Sequence, residues 1–217
     1  MRYAVLCAFA TILVAPKPAD AQTKGQLYAL GVQMGLASYQ ASVANSATTD
    51  IQLVKSARAL ASFSLRQAVS TANDINAAAK AFVVEDNDIR GMIGEYEINN
   101  PDDEWLRANV SREYQDIIVI RERITAHLAQ SPSWSALVHG YVLGVNMGIA
   151  EGHASGGDAF RSRVATSLGN ARNEAQALGL DLTALNTLIS LNASTAATKE
   201  VYQQISSVRS TFQSSLP

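Results

Sequence analysis

The sequence predicts an all-α protein: a tandem duplication of a four-helix unit, folded as one pseudo-two-fold helical bundle. Three observations lead there. Tyr28-Ala29-Leu30-Gly31-Val32-Gln33-Met34-Gly35-Leu36-Ala37 returns 113 positions later as Tyr141-Val142-Leu143-Gly144-Val145-Asn146-Met147-Gly148-Ile149-Ala150, with seven of the ten pairs identical. Near the ends of the two copies, Tyr114-Gln115-Asp116-Ile117 and Arg121 return 88 positions later as Tyr202-Gln203-Gln204-Ile205 and Arg209. Apolar residues recur at three- and four-residue steps, and no stretch alternates for long enough to make a strand.

The first residues read as an export signal. Arg2 precedes an apolar run from Ala4 to Ala15, and Ala19-Asp20-Ala21 supplies the small-x-small pattern of a cleavage site before Gln22. The expected domains are therefore a signal peptide at 1–21, a first copy at 22–130 and a second at 131–217. Cleavage after Ala21 implies a periplasmic or secreted protein. It removes Arg2, Lys17 and Asp20, which leaves 15 of the 17 basic and 18 of the 19 acidic residues. It also removes Cys7, the single cysteine, and with it disulfide, thiolate-metal and thiol chemistry. The faintly acidic remainder has no electrostatic footprint for nucleic acid.

The first mature helix is expected over about 25–44, and Asn45-Ser46-Ala47-Thr48-Thr49-Asp50 supplies turn residues and a capping candidate for the second. Leu53, Ala57, Leu60, Ser64 and Ala68 give the second helix its period, to about Ala72. Asp74 reads as the cap of a third helix over 75–84. The difference between the two repeat offsets places about 25 extra residues in copy 1, mostly within 85–104. Asn99-Asn100-Pro101 interrupts the chain there, and a long helix follows over about 102–129. In the second copy, helices are expected over about 135–154, then to about Leu178 with Gly179 at the C-terminal cap. Asp181 opens a third, and the last covers about 195–215.

Two glycines four apart share one helix face, where another backbone can approach closely. Gly31 and Gly35 match Gly144 and Gly148, and the second ladder extends through Gly140, Gly152 and Gly156. Each interior glycine costs about 1 kcal/mol against alanine. Gly31, Gly35, Gly140, Gly144, Gly148 and Gly152 are therefore expected where helices pack backbone to backbone. A membrane role fits poorly, because His139, Asn146, Glu151 and His153 interrupt the candidate span. No stable membrane span is expected in the mature chain.

Candidate chemistry is sparse. Tyr114 with Arg121, and Tyr202 with Arg209, lie seven apart on the apolar faces of the two last helices. An arginine there must be paired, solvated or snorkelled. Pairing within each half points to Asp74 and Asp181, whereas convergence would make a two-guanidinium clamp for a small anionic ligand. The acidic segment reads as a solvated loop. Asp86, Asp88 and Glu97 also fit positions 1, 3 and 12 of a calcium loop, with Gly91 at position 6, although Arg90 stands where an oxygen is wanted. His139 and His153 are about 21 Å apart on one helix and cannot share a metal. No Glu-x-x-His pair, nucleophile elbow or phosphate loop is present, so no cofactor is implied. These features favour an exported, non-catalytic binding or interaction protein, taking a small anionic ligand or a partner protein. A structural or assembly protein, including a homodimer, is the alternative. An enzyme using the acidic segment or the two arginines ranks below both.

Overall fold

The computed structural model describes residues 21–79, 83–96, 101–130, 137–194 and 198–216. Within them the chain is all-helical, with no strand. The helices are α1 (Ala21–Ser46), α2 (Ile51–Ala79), α3 (Val83–Tyr96), α4 (Asp103–Gln130), α5 (Val138–Ser155), α6 (Arg161–Ala177), α7 (Thr183–Ala193) and α8 (Thr198–Ser215). A 3₁₀ turn at Asp158–Phe160 leads into α6. Residues 1–20, where the export signal is expected, lie outside the described residues. No helix among the described residues is long and apolar enough to cross a membrane.

The local chemistry explains several boundaries. Asp50 accepts the Leu53 N–H at 3.1 Å and Asp102 accepts the Trp105 N–H at 2.7 Å, so each caps the helix that follows. Gly179, at φ +68°, ends α6. Its N–H reaches the Gln176 carbonyl and the Leu180 N–H reaches the Ala175 carbonyl, both at 3.0 Å, the paired bonds of a Schellman ending. Asp181 accepts the Thr183 N–H at 2.9 Å and so opens α7 as expected.

Three expectations are corrected. Asp74 caps nothing: α2 runs through it to Ala79. Ala68, Ala72 and Ile75 continue the buried stripe past that point, so burial carries the helix onward while the exposed Asp74 side chain stays in water. The buried face of α2 keeps Ala57, Ser64 and Ala68 of the expected stripe but not its two leucines. Val54, Ala57, Ala61, Leu65 and Ala68 are buried, whereas Leu53 and Leu60 are 44% and 52% exposed. Finally, residues 83–96 form a helix, not a solvated acidic loop. Ile89, Met92 and Tyr96 anchor it in the core at steps of three and four.

The centre of the molecule is α1 against α5, the most extensive helix pair. Around α1, α2 and α4 pack and α3 bridges them; around α5, α6 and α8 pack and α7 bridges them. A Cβ added to Gly31 would meet the Tyr141 carbonyl and stand 2.9 Å from the Val145 nitrogen; one added to Gly144 would meet the Tyr28 carbonyl and stand 2.9 Å from the Val32 nitrogen. Gly35 and Gly148 lie in the same way against Val145 and Val32. Gly140 differs, with its nearest neighbour, the Lys24 carbonyl, at 3.8 Å, and Gly152 makes room for the Tyr39 ring rather than for a backbone.

This close approach crosses the two cores. Tyr141 and Val145 of α5 are buried among residues of α1–α4, whereas Tyr28 and Val32 of α1 are buried among residues of α5–α8. Tyr28 Oη donates to the Arg209 carbonyl at 3.2 Å, and Tyr141 Oη to the Arg121 carbonyl at 3.4 Å. Burial pushes both phenols well above their ordinary range, so they remain donors.

Candidate functional site

The four residues expected to line an anion clamp do not meet at one place. Arg121 and Tyr114 lie half-buried on α4, which packs on α1 and α3; Arg209 lies on α8, which packs on α5 and α7. Tyr202 is 38% exposed. Arg209 pairs with Glu151, a buried carboxylate of α5, not with Asp181. Burial raises the Glu151 carboxyl above its ordinary value, against the opposing pull of Arg209. Arg121 donates from Nη1 to the hydroxyl of Ser38 at 3.3 Å, and not to Asp74. Ser38 is 4% exposed and donates in turn to the Met34 carbonyl at 2.8 Å.

The calcium geometry does not form either. Asp86 and Asp88 sit on α3, whose helical backbone replaces the loop that calcium would need, and Glu97 lies outside the described residues. Asp86 pairs with Arg90 at 3.1 Å, Asp88 with Arg123, and Glu85 approaches His127 at 3.6 Å. The acids expected to be solvated therefore tie α3 to itself and to α4. Among the described residues no cluster of three metal-ligating side chains is present.

The most deeply buried ion pair among the described residues is one that the sequence does not announce. Arg58 of α2 reaches Glu113 of α4 with two bonds, Nε to Oε2 at 2.9 Å and Nη2 to Oε1 at 2.5 Å. The side chains are 6% and 1% exposed. Tyr96 and Trp105 lie over the guanidinium at 5.0 and 5.4 Å from their ring centres, within cation–π range. The signal was present in α4. Leu106, Val110, Ile117, Ile120, Ile124 and Leu128 form its buried stripe, and Glu113 occupies a position in that stripe.

A recess of about 500 Å³ lies where the end of α1, the start of α2 and the 3₁₀ turn before α6 meet. Tyr39, Val43, Leu53 and Phe160 give it apolar walls, with Arg163 and Asp50 at its polar rim. Its size falls in the range of ligand pockets. Behind it, the His153 ring meets Tyr39 edge-on at 5.0 Å and stacks on Phe160 at 5.6 Å. The Arg163 guanidinium lies 5.5 Å from the Phe160 ring centre. Gly152 and Gly156 fit against Tyr39 and Phe160, where a Cβ would collide with the rings. The last glycines of the ladder thus shape this end of the bundle.

Burial, with Arg163 adding to it, lowers the pKa of His153 below its ordinary 6.5, and its buried Nδ1 has no hydrogen-bond partner. The unfolded chain therefore binds a proton that the folded chain refuses, and stability falls as pH drops through and below 6.5. His153→Phe keeps the ring and removes the titration. Its melting temperature is expected to fall less than that of the wild type between pH 7.5 and pH 5. Thermal denaturation of both proteins across that range checks it, since the pairs His127–Glu85 and His139–Glu174 are common to both.

No family model matches the chain, and no curated protein and no solved structure is similar to it, so the functional reading rests on the geometry above.

Proposed function

We propose that the protein is an exported, non-catalytic binding protein, made by tandem duplication of a four-helix unit, that holds a small apolar molecule bearing an acidic group. Duplication is supported by the matched wiring: α1–α4 and α5–α8 pack in the same pattern, and the glycine and tyrosine contacts between them are reciprocal. The observation that carries the binding reading is the recess between α1, α2 and α6. Two aromatic rings and two aliphatic side chains would receive an apolar body, and Arg163, which lines the recess together with Asp50, is the cation within it that an acidic group would meet. Export rests on the first 21 residues of the sequence.

The probe that fits this chemistry is an anilinonaphthalene sulfonate, flat and apolar with one anion. Fluorescence titration is expected to show one site at micromolar affinity. Leu53→Glu abolishes binding, and Arg163→Gln weakens it about tenfold, the effect of one lost charge-assisted bond. Phe63→Ser, on α2 but away from the recess, leaves binding unchanged. A probe that fails to bind, or whose binding Phe63→Ser removes and Leu53→Glu spares, overturns the assignment.

A second reading has its own support. Leu53, Leu60 and Phe63 are all exposed on α2 at steps of seven and three, which places three large apolar side chains on one helix face. A structural or assembly role would use that face, and the Phe63→Ser outcome discriminates between the two.

A further inference from the structure

We propose that Arg121 and Ser38 form a binding site for a small monocarboxylate of the formate or acetate class. The argument is a comparison of two places in the molecule. At the first, Tyr28 Oη donates to the Arg209 carbonyl, and the Arg209 guanidinium pairs with Glu151. At the second, Tyr141 Oη donates to the Arg121 carbonyl, and the Arg121 guanidinium reaches Ser38. Ser38 precedes Glu151 by 113 positions, the same spacing that separates Tyr28 from Tyr141 and Gly31 from Gly144. The serine therefore holds the place of the glutamate.

Serine and glutamate share a Cβ, and beyond it the serine side chain ends in one hydroxyl. The Ser38 Oγ stands at the glutamate's γ position, so what the Arg121 place lacks, relative to the Arg209 place, is the carboxylate itself, the three heavy atoms of formate, to which acetate adds one methyl. Among the described residues, no carboxylate lies within ion-pair distance of Arg121. Its half-buried guanidinium has five donors in a planar fork, a geometry that pairs with a carboxylate by two parallel bonds. The buried Ser38 oxygen accepts from that guanidinium while its own proton goes to the Met34 carbonyl, so the arginine fork supplies the donors and the serine lies beside them. This site is separate from the recess at Tyr39, and neither assignment depends on the other.

The test titrates sodium formate, acetate and chloride separately at pH 7, following the thermal midpoint of the full-length mature protein. Three proteins are compared: wild type, Ser38→Glu, whose own carboxylate fills the place, and Arg121→Gln. Formate or acetate at about ten times its dissociation constant is expected to raise the wild-type midpoint by roughly 3–6 °C. The same salts leave Ser38→Glu and Arg121→Gln with only the shift that chloride gives. Equal responses in all three proteins, or a chloride response equal to that of acetate in the wild type, overturn the proposal. If a variant does not fold, saturation-transfer NMR between acetate methyl protons and the wild-type protein decides it. Transfer that formate competes away supports the site, and no transfer overturns it.

Discussion

Gly144→Ala is expected to destabilise the protein by about 3 kcal/mol or more, among the largest effects of any single methyl group in this fold. The new Cβ would meet the Tyr28 carbonyl and stand 2.9 Å from the Val32 nitrogen, both backbone atoms of a helix buried on several sides. A side chain could rotate away from such a contact, but backbone cannot. Either α1 and α5 move apart, opening gaps along the whole pair, or the overlap remains as strain. Overpacking of this kind costs about 1–3 kcal/mol where neighbours can adjust, and here they have little freedom. Gly31→Ala meets the same obstacle from the other helix. Gly140→Ala is the control, because its nearest neighbour is 3.8 Å away. There the gain in helix propensity, up to about 1 kcal/mol, should make the variant at least as stable as the wild type. Urea denaturation of the three variants checks the set, and equal effects at positions 140 and 144 would refute the close-approach account.

Arg58→Met is expected to cost about 3–5 kcal/mol, because it leaves the Glu113 carboxylate buried without its cation. Glu113 is 1% exposed and its two oxygens are both engaged by the guanidinium. Desolvating a lone carboxylate is far more costly than losing the pair itself. Replacing both partners, Arg58→Met with Glu113→Leu, should therefore restore most of the loss. The measurement is a double-mutant cycle by chemical denaturation. Additive single effects would mean that the pair carries no coupling, and would refute this reading.

The parts of this fold that were legible in the sequence are those that physics writes in absences. A glycine at the Gly31 or Gly144 position is costly for a helix, so its repetition at matched places has few explanations besides close packing. A cap before α2 was legible because turn residues end in a carboxylate that can serve one exposed N–H, whereas Asp102 read only as the start of a long helix. The exposure of Leu53 and Leu60 on α2 was not legible. Its residues from Val54 to Ala72 are mostly alanine, serine and leucine, and several faces present a similar apolar pattern. Only the partners decide which one is buried. The helix α3 was hidden for a related reason. Its acids read as solvated because the partners that hold them, Arg123 and His127, lie on α4, some forty residues further along the chain. Charge taken alone predicted water; charge taken with its partners gives a packed helix. The Arg209–Glu151 pair escaped notice because Glu151 sits in a glycine-rich stretch, where it was read as an obstacle to membrane burial and not as a counter-ion.

The exchange of Tyr28 and Tyr141 between the two cores bears on how the chain can be synthesised. A ribosome that has released only the first 130 residues has made helices whose core still lacks the Tyr141 ring, while the α1 face carrying Tyr28 waits for a surface not yet translated. Each half completes its core with side chains of the other, so a chain cut after residue 130 is expected to show a broader, less cooperative thermal transition than the whole protein.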